Sequence, residues 1–425
     1  MKTVGVICEY NPFHKGHAYH IEETRRIVSS ECAIVCVMSG NYVQRGEPAV
    51  FNKHARAQAA VHGGADLVVE LPAPYALQSA EGFAAAGVHL LDSMGVCGYI
   101  SFGSESGDIE ELACVSKAIA TPEASVLMKE WLGAGLPYAS AQQKAADAML
   151  GKKAEALKSP NNLLGVEYLK ALSSTGSAMQ PITVKRAGGD HDGETGYSAS
   201  AIRKNLLRSE ATEDRNTESI LKTEFVERLP ELEAAAAAQV VPAPCAAVFD
   251  AEIEAGRGPI SMESFELAML SRLRAAGSLS GLPGATEGLD RRILKYIASE
   301  ATVAGILEKT KTKRYPMSRL RRMLLCACLG IDAADMKEPP PYIRVLAMNA
   351  TGMETLKTMR KKAALPIITK PASVKKLSGR AVHLFNKEVA ATDFYVLAYA
   401  NANMRSGGQE WRISPMRCSG SEIPR

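Results

Sequence analysis

The stretch GVICEYNPFHKGHAYHI, residues 5–21, decides the fold of the first half of the chain. It begins as an apolar run that ends near Cys8, turns at an Asn-Pro pair, and places His14 and His17 three residues apart. A short apolar run that ends in a turn predicts a strand buried on both faces, and the residues that follow predict a helix. The stretch therefore predicts a strand, a turn and a helix that begins with histidines.

The same alternation continues beyond the first helix. Further buried strands are expected at residues 33–38, 66–71, 98–102 and 182–185. Helices are expected at residues 16–29, 52–62, 79–91, 127–131, 142–150 and 161–172. Strands that alternate with helical segments of this length are typical of parallel βαβ units. The sequence therefore predicts an α/β fold with a doubly wound parallel sheet.

The composition of the sequence changes near residue 210. A chain of 425 residues is too long for one ordinary core. Residues 210–233 are rich in charge, an alanine run follows, and the strand pattern fades. We expect an N-terminal α/β domain over residues 1–210, a charged and Ala/Pro-rich connection over 211–245, and a mainly helical C-terminal domain over 246–425. Strands are expected to return at 342–347 and 390–398.

Composition narrows the class of protein. The chain is 46% apolar and 23% charged, which is typical of a globular protein. Its nine cysteines include no CxxC pair, so we expect a reducing compartment and no zinc framework. The sequence contains no run of about 18 uncharged apolar residues, the length that a membrane span needs. A cytoplasmic protein without a membrane segment or a metal site is therefore expected.

The opening histidines indicate phosphate chemistry. Ligands of open parallel sheets bind beyond the carboxyl ends of the strands, where helix N-termini point. The spacing of His14 and His17 places both on one face of the first helical turn, where unpaired backbone N–H groups attract anions. Gly16 lets a phosphate approach the backbone closely. Imidazoles there can donate to phosphate oxygens during attack on the α-phosphate of a nucleotide. The alternatives are chance histidines or a metal pair, but no nearby Cys or Asp completes a metal site.

Several later residues stand where a nucleotide could be held. They are Gly103 after a strand, the pair Asn161–Asn162 at a helix start, the pair Lys185–Arg186 before a glycine loop, and Ser198, Ser200 and Arg203 around another helix start. Arginine matches phosphate geometry, and helix starts bind anions. Ordinary turns, helix capping and solvated charge are the alternatives. Arg45, on a loop after the second strand, is a candidate to face a substrate.

A basic segment lies in the C-terminal half. KTKTKRYPMSRLRR, residues 309–322, holds seven cationic side chains and no acidic residue. Unrelieved positive charge beside an aromatic residue indicates contact with an RNA backbone and its exposed bases. The candidates are Lys309, Lys311, Lys313, Arg314, Tyr315 as a stacking residue, Arg319, Arg321 and Arg322. Lys361–Lys362 and Lys375–Lys376 are expected to extend this surface. The alternative is a merely solvated basic face.

These motifs together resemble a known family. The stretch at residues 5–17 is similar to the signature of the HxGH nucleotidyltransferase superfamily, and EYNPFHKGH resembles the tRNA(Met) cytidine acetate ligase family. Further matching motifs are GADLVVELP (64–72), SFGSESGD (101–108), SPNNLLGVEYLKAL (159–172), SASAIRK (198–204) and KTKRYPMSRLRRMLL (311–325). They occur in the order of that family, so the resemblance spans most of the chain and is weakest over residues 210–300.

The resemblance implies a Rossmann-type fold and an ATP-dependent, AMP-forming ligase. In that family acetate attacks the α-phosphate of ATP, and the acetyl-adenylate then acylates N4 of the wobble cytidine of elongator tRNA(Met). His14 and His17 would be catalytic, and Mg²⁺ is expected to accompany ATP. The implied ATP-binding residues are Ile7, Cys8, Glu9, Tyr10, Asn11, Pro12, Phe13, His14, Lys15, Gly16, His17, Ala18, Tyr19, His20, Gly103, Asn162, Arg186, Ala187, Ser198, Ser200 and Arg203. The family usually has threonine where this chain has Ser200, and both residues carry a hydroxyl.

Two other functions are compatible with the motifs. One is a different HxGH nucleotidyltransferase of nucleotide-cofactor synthesis, although the basic C-terminal half would then be unexplained. The other is a non-catalytic RNA-binding protein, although the intact His-Lys-Gly-His sequence argues against a lost active site.

Overall fold

The computed structural model describes residues 1–186, 199–209 and 240–418. The opening stretch folds as predicted, with strand β1 (Thr3–Cys8) followed by helix α1 (Lys15–Val28). β1 is apolar and almost wholly buried, whereas α1 turns its Ile21 and Thr24 face inward and exposes charged residues on the other face. The local sequence pattern and the fold therefore agree here.

Most of the sheet was predicted from the sequence. The strands are β1 (Thr3–Cys8), β2 (Ala33–Ser39), β3 (Tyr42–Val43), β4 (Glu47–Pro48), β5 (Leu67–Leu71), β6 (Tyr99–Ser104), β7 (Gln180–Lys185), β8 (Ile343–Met348), β9 (Ile367–Ile368) and β10 (Met416–Arg417). The main sheet has the order β10-β8-β5-β2-β1-β6-β7, with β9 also paired to β8, and β3 with β4 forms a separate hairpin. The predicted α/β doubly wound sheet is confirmed.

Helices cover the sheet and build the rest of the molecule. In the N-terminal half they are α1 (Lys15–Val28), α2 (Lys53–His62), α3 (Ala73–Ala76), α4 (Ala80–Ser93), α5 (Ile109–Ile119), α6 (Pro122–Gly133), α7 (Tyr138–Leu150), α8 (Pro160–Thr175) and α9 (Ala199–Ser209). In the C-terminal half they are α10 (Ala243–Glu254), α11 (Glu266–Ala275), α12 (Leu289–Ser299), α13 (Val303–Thr310), α14 (Met317–Leu329), α15 (Ala350–Lys362) and α16 (Gly379–Tyr395).

The strand order fixes where a ligand can bind. β1 pairs in parallel with β2 on one side and with β6 on the other. The strand order therefore runs outward from β1 in both directions, through β2 on one side and β6 on the other. At such a point a crevice opens at the carboxyl ends of the two neighbouring strands, here β1 and β6. One core, under α4 and α8, packs on one face of the sheet, and another, under α1 and α2, packs on the other face.

The C-terminal half differs from its prediction in two places. The expected strand at 342–347 is confirmed as β8, but β8 pairs antiparallel with β5 and so joins the N-terminal sheet. The sheet thus crosses the expected boundary, while residues 210–239, most of the expected connection, lie outside the described residues. The expected strand at 390–398 is wrong, because residues 390–395 belong to α16, whose buried side chains recur at helical spacing, and residues 396–398 form a short 3-10 helix.

The helices α11 to α14 share a separate core with α16. Tyr42, Ala73 and Leu77 from the N-terminal half complete that core, so the helical layer packs on the β3–β4 hairpin and on α3. Among residues 1–186, 199–209 and 240–418, no helix combines the length and apolarity needed to cross a lipid bilayer.

Candidate active site

The first turn of α1 is capped by its own histidines. His14 is the N-cap residue, and its Nδ1 accepts a hydrogen bond of 3.0 Å from the backbone N–H of Gly16. His17 Nδ1 accepts from the backbone N–H of His14 at 3.3 Å. A ring nitrogen that accepts a hydrogen bond carries no proton, so in each neutral imidazole the proton lies on Nε2. Both rings are therefore fixed in the tautomer that offers an N–H donor away from the helix backbone.

The two imidazoles lie against each other at the helix start. Their ring centroids are 3.8 Å apart, and the His17 ring also packs on Tyr10, at 4.7 Å between centroids. A Cβ on Gly16 would lie 2.8 Å from His14 Cε1, a distance that real Cβ atoms do not reach. Glycine is therefore required for the His14 ring to occupy this position, in addition to the backbone access that the sequence predicts.

The histidines are held neutral. Burial, followed by Arg186 and Arg203, lowers the pKa of His14 from 6.5 to about 4. Burial, with His14, Arg186 and His20 nearby, lowers the pKa of His17 well below its usual value. Near neutral pH these rings are therefore hydrogen-bond donors without a charge of their own.

His20 belongs to the same group. Its Nε2 lies 3.0 Å from Ser101 Oγ, and Ser101 is in turn 2.7 Å from Thr24 Oγ1. Burial, followed by Arg186, lowers the pKa of His20 to about 4. The third histidine of the opening stretch therefore ties α1 to strand β6 of the sheet.

The ends of β6 and β7 place two predicted residues together. Arg186 directly follows β7, its backbone N–H donates to Ser104 O at 3.0 Å, and it is exposed. A Cβ on Gly103 would lie 3.4 Å from Arg186 Cγ, so the guanidinium stem crosses the glycine. The charge of Arg186 helps to lower the pKa of all three histidines, so Arg186 lies beside the crevice.

Asn162 acts differently from the other predicted residues. It is buried, and its Oδ1 accepts from the backbone N–H groups of Glu105 at 2.9 Å and Ser106 at 3.2 Å. Glu105 in turn accepts from the Asn162 N–H at 2.9 Å. The contacts of Asn162 support the turn that follows β6, and nucleotide contact through its amide remains a prediction.

Helix α9 supplies a further cation. Arg203 Nη1 donates to Asn11 O at 2.7 Å, and Nη2 donates to Ser200 Oγ at 3.2 Å. The predicted Ser200 and Arg203 therefore lie beside the opening stretch. Ala187 and Ser198, also predicted, lie outside the described residues.

The residues of the opening stretch divide by burial. The side chains of Ile7, Tyr10, Asn11 and Phe13 are buried, whereas Lys15, Gly16 and Tyr19 are exposed. Tyr10 has φ 43°, in the left-handed region, where the turn leaves β1. Packing of its ring on Phe13 and His17 holds this strained conformation. The buried members form the floor of the crevice, so any nucleotide contact they make would be through the backbone.

A buried arginine organises the floor, and its role was not predicted. Arg56 is fully buried, and its guanidinium donates to the carbonyl oxygens of Phe51 at 2.9 Å and Ser39 at 3.0 Å, and also to those of Glu9 and Gly40. It thereby joins the carboxyl ends of β1 and β2. Its place one turn into α2 was the only signal in the sequence, and that signal does not reveal burial.

The basic segment is only partly available for a ligand. Lys309, Lys311 and Lys313 are exposed. Arg314 and Arg319 pair with Glu287 at 2.8 and 3.5 Å.

Tyr315 does not stand free for stacking. It is 8% exposed, its hydroxyl donates to Glu287 O at 2.8 Å, and the Arg319 guanidinium lies 5.5 Å from its ring centre. The expected stacking role of Tyr315 is therefore wrong for this conformation, because the ring packs into the helical core.

Two predicted cations instead hold the β3–β4 hairpin. Arg321 pairs with Glu47, and Arg322 Nη1 donates to Gln44 O at 3.1 Å. The expected extension of the basic segment by Lys361–Lys362 and Lys375–Lys376 stays a prediction. Lys361–Lys362 end α15, where Ala364 N–H bonds Ser93 O near the amino end of β6.

The assembled crevice is shaped for an anion. Three neutral imidazoles, two of which aim Nε2–H groups away from their helix, lie among the guanidinium groups of Arg186 and Arg203, at the N-terminus of α1. Within the described residues, no group of three or more His, Cys, Asp or Glu side chains is arranged to hold a metal ion. Such a site can bind a phosphate and stabilise charge that builds on a leaving group.

Comparison with known proteins defines the class first. Residues 1–410 match the family model described as HIGH Nucleotidyl Transferase. A protein named tRNA(Met) cytidine acetate ligase from Acetivibrio thermocellus is 35% identical over 97% of this chain and 98% of its own length. One of the same name from Caldanaerobacter subterraneus subsp. tengcongensis is 37% identical over 94% of this chain and 96% of its own. This chain belongs to the tRNA(Met) cytidine acetate ligase family of HIGH nucleotidyl transferases.

Solved structures agree with this assignment. Thermotoga maritima TmcAL bound with alpha-thio ATP superposes with a TM-score of 0.86 at 32% identity, covering 99% of this chain and 100% of that one. The apo form of the same protein also gives a TM-score of 0.86, at 31% identity. The expected HxGH nucleotidyltransferase fold is thereby confirmed.

Proposed function

We propose that this chain is an ATP-dependent tRNA(Met) cytidine acetate ligase. Acetate attacks the α-phosphate of ATP, and acetyl-adenylate and pyrophosphate form. N4 of the wobble cytidine of elongator tRNA(Met) then attacks the acetyl carbon, and AMP leaves. The observation that carries the proposal is the pair of neutral imidazoles at the start of α1, because they supply N–H donors where a nucleotide phosphate meets the sheet.

His14 and His17 have the catalytic role in this proposal. Their Nε2–H groups donate to oxygens of the α-phosphate and of the departing pyrophosphate as negative charge builds there. Because Nδ1 of each ring is occupied by a backbone N–H, the rings cannot turn without losing the helix cap. This preorganisation is the condition under which hydrogen bonds stabilise a transition state most effectively.

Around these rings we assign ATP binding to the residues that line the crevice. Backbone groups of residues 7–20, together with Gly103, Asn162 and Arg186, would contact the nucleotide. Ala187, Ser198, Ser200 and Arg203 would hold the phosphates. The α-thio ATP bound by the Thermotoga maritima relative supports a nucleotide in this fold. Mg²⁺ would enter with the ATP phosphates, since it commonly binds nucleotides with few protein ligands.

The exposed lysines of the basic segment are the proposed tRNA contacts. Lys309, Lys311 and Lys313 have no ion pair among the described residues, whereas Arg314, Arg319 and Arg321 are paired with glutamates. The three lysines therefore keep their charge available for phosphates of the RNA backbone. The paired arginines shape the surface beside them.

One incubation separates this proposal from its alternatives. The chain is mixed with ATP, ¹⁴C-acetate and total tRNA, and the products are resolved into tRNA and small molecules. The ligase predicts acetyl label on tRNA and release of AMP. Label-free tRNA with a new nucleotide product would indicate another nucleotidyltransferase, and tRNA binding without ATP turnover would indicate a non-catalytic RNA-binding protein.

A further inference from the structure

The second half of the proposed reaction needs a proton acceptor. As N4 of cytidine forms its bond to the acetyl carbon, the bond from that carbon to the AMP oxygen breaks and AMP keeps the electron pair. N4 must also lose a proton. The imidazoles of His14 and His17 are poor acceptors, since Nδ1 of each already accepts a backbone N–H and Nε2 carries the proton.

We propose that the carboxylate of Glu9 accepts the proton from N4, an inference that rests on the proposed function. Glu9 is the residue directly after β1, so its side chain lies at the carboxyl end of the strand that the crevice follows. Its Oε1 accepts from the Gln44 N–H at 2.7 Å. Its Oε2 makes no hydrogen bond to a described residue, and the side chain is partly exposed. One carboxylate oxygen is therefore fixed and the other is free to take a proton.

Arg203 connects Glu9 with the imidazoles. Its guanidinium donates to the backbone oxygen of Asn11, which lies between Glu9 and His14 in the sequence. The same guanidinium acts electrostatically on both His14 and Glu9. The carboxylate and the imidazole pair therefore lie within reach of one cation that can also hold a phosphate.

Other carboxylates near the crevice are already engaged. Glu105 accepts from Asn161 Nδ2 at 2.6 Å and from the Asn162 N–H at 2.9 Å. Glu47 is paired with Arg321. Of these three carboxylates, Glu9 alone combines a position at the end of β1 with an unengaged oxygen.

The surroundings of Glu9 make its carboxylate a stronger base. Burial of the side chain raises the pKa of Glu9. The Gln44 N–H and the charges of Arg203, Arg56 and Arg45 act to lower it, but burial is the largest effect. On the remaining side Tyr168 of α8 also interacts electrostatically with Glu9. A raised carboxylate pKa brings the base closer to the pH at which the enzyme works.

The hairpin that holds Glu9 is braced by the basic helix. Gly46, with φ 77°, turns the hairpin, and a Cβ there would lie 2.5 Å from the backbone N of Arg322. Arg322 Nη1 also bonds Gln44 O at 3.1 Å, next to the N–H that fixes Glu9. Arg322 is therefore a positioning residue for the carboxylate.

The test is Glu9→Gln, which preserves an oxygen for the Gln44 N–H but cannot accept a proton. Two rates are measured on the full chain: acetate-dependent ATP–pyrophosphate exchange and single-turnover transfer of acetyl to tRNA. Transfer should fall by about 10²–10³-fold and exchange by less than about tenfold. Glu9→Asp should restore part of the transfer rate. Glu354→Gln, which neutralises an exposed carboxylate on α15, should change both rates by less than about threefold.

The pH profile adds an independent readout. Wild-type transfer should decline as the pH falls through the pKa of Glu9, and Glu9→Gln should lack this limb. Transfer by Glu9→Gln within threefold of wild type, or equal loss of exchange and transfer, would overturn the inference. A wild-type chain that neither exchanges pyrophosphate nor labels tRNA would instead overturn the proposed function.

Discussion

Two regions bury many polar side chains, and they treat charge in opposite ways. In the crevice at the start of α1, the rings of His14, His17 and His20 stay neutral beside cationic arginines. Behind β5, Lys53 contacts the carboxylates of Glu70, Glu388 at 3.4 Å and Glu410 at 3.1 Å.

The second region, which we call the ion cluster, also contains Arg344. Its guanidinium pairs with Glu70 at 3.3 Å and with Glu410. Every side chain of the ion cluster is 0–3% exposed, so each charge must find its partner inside the protein.

The difference separates structural charge from functional charge. In the ion cluster every cation faces carboxylates. In the crevice, Arg186 lies beside uncharged imidazoles, so its positive potential is not cancelled there, while Arg203 lies between the imidazoles and the carboxylate of Glu9. An anion such as a nucleotide triphosphate would neutralise this positive charge. We therefore place the chemistry in the crevice and assign the ion cluster to stability.

The largest expected effect is on catalysis in the crevice. His17→Ala should lower acetate-dependent ATP–pyrophosphate exchange by about 10³–10⁴-fold, because it removes a preorganised donor. The affinity for tRNA should change little. His62→Ala, a histidine away from the crevice, is the control and should exchange normally. Equal loss of exchange and tRNA affinity would show that His17 is structural.

The next effect is on stability in the ion cluster. Lys53→Met leaves the buried carboxylates of Glu70 and Glu410 short of a cation, so the free energy of unfolding should fall by about 3–5 kcal/mol. Urea denaturation measures this. Lys357→Met removes an exposed pair with Glu354 and should have almost no effect. A small change in Lys53→Met would mean that the carboxylates can release their charge by protonation.

The two regions should also differ in pH dependence. Burial, followed by Glu70, raises the pKa of Glu388 from 4.5 to about 8, so the folded chain binds a proton that the unfolded chain releases. This contribution is complete below pH 4.5 and is lost as the pH rises towards 8, at up to about 1.4 kcal/mol per pH unit.

The histidines act in the other direction. The pKa of His14 falls from 6.5 to about 4, so the free energy of unfolding should fall as the pH drops between these values. Glu388→Gln should remove the decline in stability between pH 4.5 and about 8, as followed by urea denaturation from pH 4 to 9. Loss of the acid side instead would reverse the assignment.

The smallest effect is expected at the surface. Reversal of Lys309, Lys311 and Lys313 to Glu should weaken tRNA binding and reduce the slope of log affinity against log salt by about one to three. Reversal of Lys117, Lys129 and Lys144, which are exposed on α5, α6 and α7, is the matched control. Identical slopes for the two triple variants would remove the basic segment from the interface.

The local sequence pattern was sufficient to predict most strands of the sheet, but not the pairing of the C-terminal strand β8 with β5. The strand β1 and its neighbours were predicted because buried parallel strands are continuous apolar runs. The antiparallel pairing of β8 with β5 joins residues about 280 positions apart, and no local periodicity encodes such a contact. Residues 390–398 were assigned wrongly because their mixture of alanine, aromatic and β-branched residues suits a strand as well as the end of α16.

The candidate active site was likewise predicted only in part from the sequence. His14 and His17 followed from their spacing and their place after a strand. Their shared tautomer did not, because it depends on backbone bonds inside the first turn. The burial of Tyr315 and the four-carbonyl contact of Arg56 depend on tertiary packing, which residue type alone does not reveal.

Oxygen transfer tests the central claim most directly. If acetate attacks the α-phosphate of a nucleotide held by His14 and His17, acetate labelled with ¹⁸O must leave one labelled oxygen in AMP for each acetyl group placed on tRNA. Mass spectrometry of the AMP formed in one turnover measures this. We predict one ¹⁸O per AMP, and unlabelled AMP from a turnover that acetylates tRNA would contradict the account.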